Sequence, residues 1–96
     1  MVTRIVKMTF RTDSSETFLS IFERYKTHIR AAEGCTHLSL LRDIHSPHVF
    51  FTYSRWEAEH NLEAYRHSPI FGEVWPQVKP LFAAPAEAWT AHEEVV

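Results

Sequence analysis

The chain predicts an α+β domain in which four strands form one antiparallel sheet and the helices cover one of its faces. Three observations carry this. Three stretches alternate apolar and polar residues with the two-residue period of a half-buried strand, and other runs repeat apolar residues at three and four, as a helix does. Two of the alternating stretches are separated only by His45, Ser46 and Pro47, which allows a hairpin turn and no crossover. The 96 residues make one domain, 1–96, that buries roughly 60–65% of the surface of the unfolded chain.

In order, the first strand is expected over residues 2–11. Val2, Val6, Met8 and Phe10 face one way, with Arg4 interrupting them, and Thr3, Ile5, Lys7 and Thr9 face the other. Asp13 followed by Glu16 reads as a capping box with Asp in place of Ser or Thr. It opens a helix from about Ser14 to about Ala32 with the stripe Phe18, Ile21, Phe22, Tyr25 and Ile29. Gly34 stops that helix as a left-handed residue.

The second strand is expected over residues 35–44 and the third over 48–56, HVFFTYSRW. In the third, Val49, Phe51 and Tyr53 make an apolar face suited to a protein partner. The alternate residues His48, Phe50, Thr52, Ser54 and Trp56 mix bulk with hydroxyls and suit a pocket. Placing Ile44 opposite Val49 puts Leu40 opposite Tyr53 and His37 opposite Trp56, although a one-residue slip would exchange the faces. A second helix follows with Ala58, Leu62 and Tyr65 inward. Ser68 and Pro69 form the N-cap and first position of a third, with Ile70, Phe71, Val74, Trp75, Val78 and Leu81. Pro76 and Pro80 predict a kink or a break in it. Ala84 and Pro85 are expected to turn the chain into a last strand, Glu87 to His92, which holds Trp89.

The order β-α-β-β-α-α-β reduces to a ferredoxin-like arrangement with an extra helix. Helices then cover one sheet face, and the other is too apolar to leave in water, so a homodimer through the sheet face is expected. A formal charge of −2 and a pI near 6.4 provide no basic patch, which excludes nucleic acid as a partner. Cys35 is the only cysteine, so no internal disulfide forms, and no apolar run reaches membrane-spanning length. A soluble cytoplasmic protein with no membrane partner is the expectation. The 14% aromatic content exceeds what a small core needs and points to a ligand or partner.

The segments RIVKMTF, EGCTHLSLL, FFTYSRWEAEHNLEAYRHSPIF and APAEAW, in this order and spacing, resemble the antibiotic biosynthesis monooxygenase superfamily of dimeric α+β barrel proteins. The resemblance implies oxidation of a small quinol- or phenol-type aromatic by molecular oxygen, with no metal and no cofactor, in a pocket between sheet and helices. The Trp that ends the third strand in that family corresponds to Trp56. The family's Asn four residues earlier is Thr52 here, and its Tyr six residues later is Leu62, with Tyr65 as a substitute one turn on. In the haem-degrading branch the equivalent positions carry Asn, Trp and an axial His. Here they are Val6, Tyr65 and about Trp75, so haem is not expected.

The expected catalytic residues are therefore His37, Trp56 and Tyr65, with His37 as the base for a phenolic proton. Thr52, Ser54 and Trp75 are expected to bind substrate. Each has an ordinary reading as well: His37 as a strand residue near an edge, Tyr65 as core with its hydroxyl at the rim, Thr52 and Ser54 as common strand residues. Trp56, Trp75 and Trp89 are expected to line one cavity, or Trp89 simply to close the core. No pair among the seven histidines has ligand spacing backed by carboxylates, so no metal site is expected. The resemblance also admits two alternatives, an isomerase or processing enzyme for a small hydroxylated carbonyl compound and a non-catalytic binding dimer.

Overall fold

The computed structural model describes residues 1–96. The strands are β1 (Val2–Phe10), β2 (Cys35–Arg42), β3 (Val49–Trp56) and β4 (Phe82–Ala91). The helices are α1 (Ser15–Arg30), α2 (Glu59–Arg66) and α3 (Pro69–Val78), and a 3-10 turn, Lys79–Leu81, follows the last of them. The strands form one antiparallel sheet in the order β2-β3-β1-β4 with the helices on one side, the ferredoxin-like α+β fold. No helix is long and apolar enough to cross a membrane.

Alternation along β1 and β3 assigns their faces as expected. Met8 pairs with Phe50 and Val6 with Thr52 on the helix side, while Ile5 pairs with Tyr53 and Lys7 with Phe51 on the open side. Met8, Phe10 and Phe50 join Phe18, Ile21, Tyr25 and Ile29 of α1, Leu38 of β2 and Val78 of α3 in the core. Phe10 stacks on Phe18 at 4.3 Å and meets Phe50 edge-on at 5.7 Å. The Tyr25 hydroxyl donates to Glu73 at 3.2 Å and accepts from Gln77 at 3.1 Å, which pins α1 to α3.

The pairing of β2 with β3 is one residue away from the expected register. Leu38 lies opposite Ser54, Leu40 opposite Thr52 and His37 opposite Arg55. The cause is the turn. The Asp43 carboxylate accepts from the backbone N–H groups of His45 and Ser46 at 2.9 and 2.7 Å, which holds that carboxyl below its usual range and ends β2 at Arg42. Ile44 is then part of the turn and 89% exposed, not a strand residue facing Val49. The slip exchanges the faces of β2: Leu38 and Leu40 go under the helices, and His37, Ser39 and Leu41 join Val49, Phe51 and Tyr53 outside.

Other boundaries differ for local reasons. Ser14, not Asp13, caps α1, and its hydroxyl donates to Asp13 instead of the helix, so no capping box forms. The Ser15 hydroxyl lies 3.0 Å from Nδ1 of His48, which ties the start of α1 to the start of β3. Ser68 accepts from the Phe71 N–H at 3.3 Å and Pro69 follows it, as expected. Pro76 is tolerated inside α3, and the break falls at the Pro80 turn. β4 begins at Phe82, well before Glu87: Ala84 and Pro85 do not end a loop but lie in an edge strand, at a register irregularity opposite Met8. A proline is harmless there because an edge strand has one side without ladder bonds.

Candidate functional site

A cavity of about 380 Å³ lies between the helices and the covered face of the sheet, within the usual range for small-molecule sites. It exists because the sequence is unevenly bulky. On the floor, Val6, Thr52 and Ala88 are adjacent across β3, β1 and β4, and small Ala86 and Ala88 leave space that a larger residue on β4 would fill. Met8, Phe18, Phe22 and Val78 line it as well. The helical wall is a run of aromatic contacts. Tyr65 of α2 stacks on Trp56 at 5.1 Å and meets Phe71 edge-on at 5.4 Å, Phe71 stacks on Trp75 at 5.8 Å, and Trp75 meets Phe82 at 5.6 Å.

Five of the six expected site residues line this cavity: Thr52, Ser54, Trp56, Tyr65 and Trp75. Trp56 is 1% exposed, and its indole N–H donates to the Ser54 hydroxyl at 3.0 Å. That bond satisfies the indole and leaves the Ser54 proton as the donor able to turn toward a ligand. Tyr65 is the one phenol on the wall. Burial, helped by nearby Cys35, pushes its pKa up to about 12, so it stays protonated near neutrality and acts as a donor, not as a base. Burial also raises the Cys35 thiol, whose sulfur donates to the His37 carbonyl at 3.6 Å.

His37 is not among these residues. The register slip turns it onto the open face, exposed, with its Nε2 3.2 Å from the Ser39 hydroxyl and its ring edge-on to Tyr53 at 5.7 Å. The expected pairing of His37 with Trp56 across the pocket is thereby corrected. Trp89 is likewise outside, opposite Ile5 and 49% exposed, so the cavity has two tryptophans and not three. No group of three His, Cys, Asp or Glu side chains is placed to hold a metal ion.

Two residues that the sequence did not single out for the site line it, Arg4 and Arg66. Arg4 lies beside Ser54 on one neighbouring strand and Thr90 on the other, and donates to the Thr90 hydroxyl at 2.8 Å. Burial first, and then the Arg66 charge, lower its pKa, with Glu63 opposing them. The clue was available, since Arg4 breaks an otherwise apolar alternation on the covered face of β1. A cation facing inward on a strand is there for a partner more often than by accident.

Such a molecule is a small α+β protein with a ligand-sized, mainly apolar pocket between its sheet and its helices. It belongs to the antibiotic biosynthesis monooxygenase family, whose model matches residues 1–75, and membership supports a monooxygenase-like role in general terms. The fold is also that of solved relatives at low identity. A conserved protein from Methanosarcina mazei Go1 superposes with a TM-score of 0.91 at 17% identity, covering 98% of this chain and 94% of that one. A Nitrosomonas europaea protein that carries the family name gives 0.90 at 17%, covering 97% and 98%. Another of that name from Bordetella bronchiseptica gives 0.86 at 21%, covering 98% and 97%. No curated protein matches the chain significantly.

Proposed function

We propose that the protein is a cofactor-independent monooxygenase that oxidises a small phenol- or quinol-type aromatic with molecular oxygen in the cavity of about 380 Å³. The observation that carries the reading is the pairing of an aromatic wall, Trp56, Tyr65, Phe71 and Trp75, with a few hydroxyl donors, Thr52, Ser54 and Tyr65, in a pocket of this family. A flat aromatic ring fits against the wall, and the hydroxyls hydrogen-bond its oxygen as negative charge develops there. No carboxylate or histidine lines the cavity, so the phenolic proton passes to solvent at the mouth. The protein's part is to hold the anion in a water-poor space.

The reaction balances without an outside reductant. A ring CH2 flanked by phenolic rings becomes C=O, one oxygen atom enters the product and the other leaves as water. The active unit in this reading is residues 1–96 paired with a second copy through the open sheet face. The two alternatives are less well supported. An isomerase that shuttles a proton needs a titrating carboxylate or histidine in the pocket, and none lines it; a non-catalytic binding dimer shares the cavity and is separated from the oxygenase by the oxygen-uptake test alone.

The test is oxygen consumption by the metal-stripped protein with a panel of quinols, anthrones and catechols. Uptake is expected with at least one of them, and it should fall in Tyr65→Phe and be lost in Trp56→Ala. Uptake that is indifferent to both changes, or uptake that requires an added metal or flavin, would sink the proposal.

A further inference from the structure

The chemistry above assigns no role to the two cations of the pocket. Arg4 and Arg66 both line the cavity, from β1 and α2, and no acidic side chain lines it with them. Arg4 is only half exposed, and its one side-chain hydrogen bond goes to a neutral hydroxyl, Thr90. It forms no ion pair, whereas Arg66 has only Glu63 at 3.4 Å. Glu63 is itself divided, since its other oxygen lies 3.0 Å from Nε2 of His67. Two guanidiniums that feel each other's charge therefore face a cavity whose other polar groups are neutral hydroxyls, with less than one carboxylate between them. Taking a cation out of water without a partner is costly, and a guanidinium with four free donors is shaped to receive a planar pair of oxygens.

We propose that the substrate of this pocket is an aromatic acid, whose carboxylate is held at the mouth by Arg4 and Arg66 while its ring lies against Trp56 and Tyr65. The inference rests on the reading of the cavity as the substrate site and adds the substrate class. Arg4 contributes more than Arg66, because it is the more buried and the less neutralised of the two. The carboxylate fixes which end of the ring enters first, so that the reacting carbon lies away from the Arg4–Ser54 pair, toward Val6 and Thr52.

The experiment is calorimetric titration near neutral pH with a matched pair of probes, 2-naphthoate and 2-naphthol, which share a ring and differ in the carboxylate. The naphthoate is expected to bind at least about tenfold more tightly, a difference of about 1.4 kcal/mol. Arg4→Gln should abolish most of that preference and Arg66→Gln, at an exposed helical position that tolerates change, should weaken it. Both variants should leave naphthol affinity within about twofold. Equal affinities, binding of neither probe, or a preference that survives both substitutions overturns the proposal. So does naphthol binding as tightly as naphthoate with release of a proton, which would assign the arginines to a phenolate. The titration needs no turnover, so the two readings fail separately. A naphthoate preference without oxygen uptake on any substrate removes the oxygenase, and oxygen uptake on neutral quinols by a protein that shows no preference for naphthoate removes the aromatic acid.

Discussion

The two faces of one sheet have been made from the same strands to opposite ends. On the covered face, Met8, Phe10, Phe50, Leu38 and Trp56 are almost fully buried, and the space they leave is a cavity with hydroxyls and two cations. On the open face, Ile5, Phe51, Tyr53, Leu41 and Trp89 make an apolar surface interrupted by Lys7, Glu87 and His37, with no element of this chain across it. Each strand supplies both faces in turn, so a single residue step along β3 changes a side chain's role from core to surface. The lesson is that composition does not distinguish these faces. Cover does, and the helices provide it on one side only.

Adjacent phenylalanines test this most directly. Phe50 is 1% exposed beneath α1, and Phe50→Ala should lower the unfolding free energy by roughly 3–5 kcal/mol, read from chemical denaturation at fixed protein concentration. Phe51 is half-buried on the open face, and its change to Glu should act on association instead. Sedimentation of the native protein is expected at twice the 11.3 kDa chain mass, and Phe51→Glu should weaken the dimer by roughly 2–4 kcal/mol. If the native protein were monomeric, or if Phe51→Glu left a dimer intact, the open face would have some other partner.

How much of this could be read in the sequence differs strand by strand. In β1 and β3 the alternation is strong, broken only by Arg4, and the faces were legible at once. In β2 the run Leu38, Ser39, Leu40, Leu41 supports either face, so the register depended on where the turn began. The Asp43 side chain decides that by accepting from two backbone N–H groups just ahead of it, a local Asx turn that starts the connection one residue earlier than the alternation alone suggests. β4 was cut short because Ala83, Ala84, Pro85 and Ala86 have weak strand propensity, yet an edge position pairs on one side only and accepts them. Within the site, the aromatic wall was visible as helical periodicity. The arginines were visible only as exceptions, Arg4 to an apolar face and Arg66 to none.

Tyr65 gives the covered face a pH signature of its own. Its pKa is raised by burial to about 12 from an ordinary value of 10, so below about pH 10 the phenol is neutral in folded and unfolded chain alike and no penalty exists. As pH rises from 10 toward 12 the unfolded chain ionises first, and stability contributed by the buried neutral form is lost, by about 2–3 kcal/mol at the top of the window. Tyr65→Phe should flatten that decline in unfolding measurements at alkaline pH.

His37 carries the smallest expected effect and the sharpest use. It is exposed on the open face, held only by the Ser39 hydroxyl and the edge of Tyr53, so His37→Ala should change the stability of the fold by no more than about 0.5 kcal/mol. It should also leave naphthoate affinity and oxygen uptake within about twofold, because β2 points it away from the cavity by the one-residue register. Turnover that collapsed in His37→Ala with an intact dimer would mean that the open face of one copy takes part in chemistry, and the division of labour between the faces would be wrong. Turnover that held while Tyr65→Phe lost it would place the proton-bearing group of the reaction on the covered face alone.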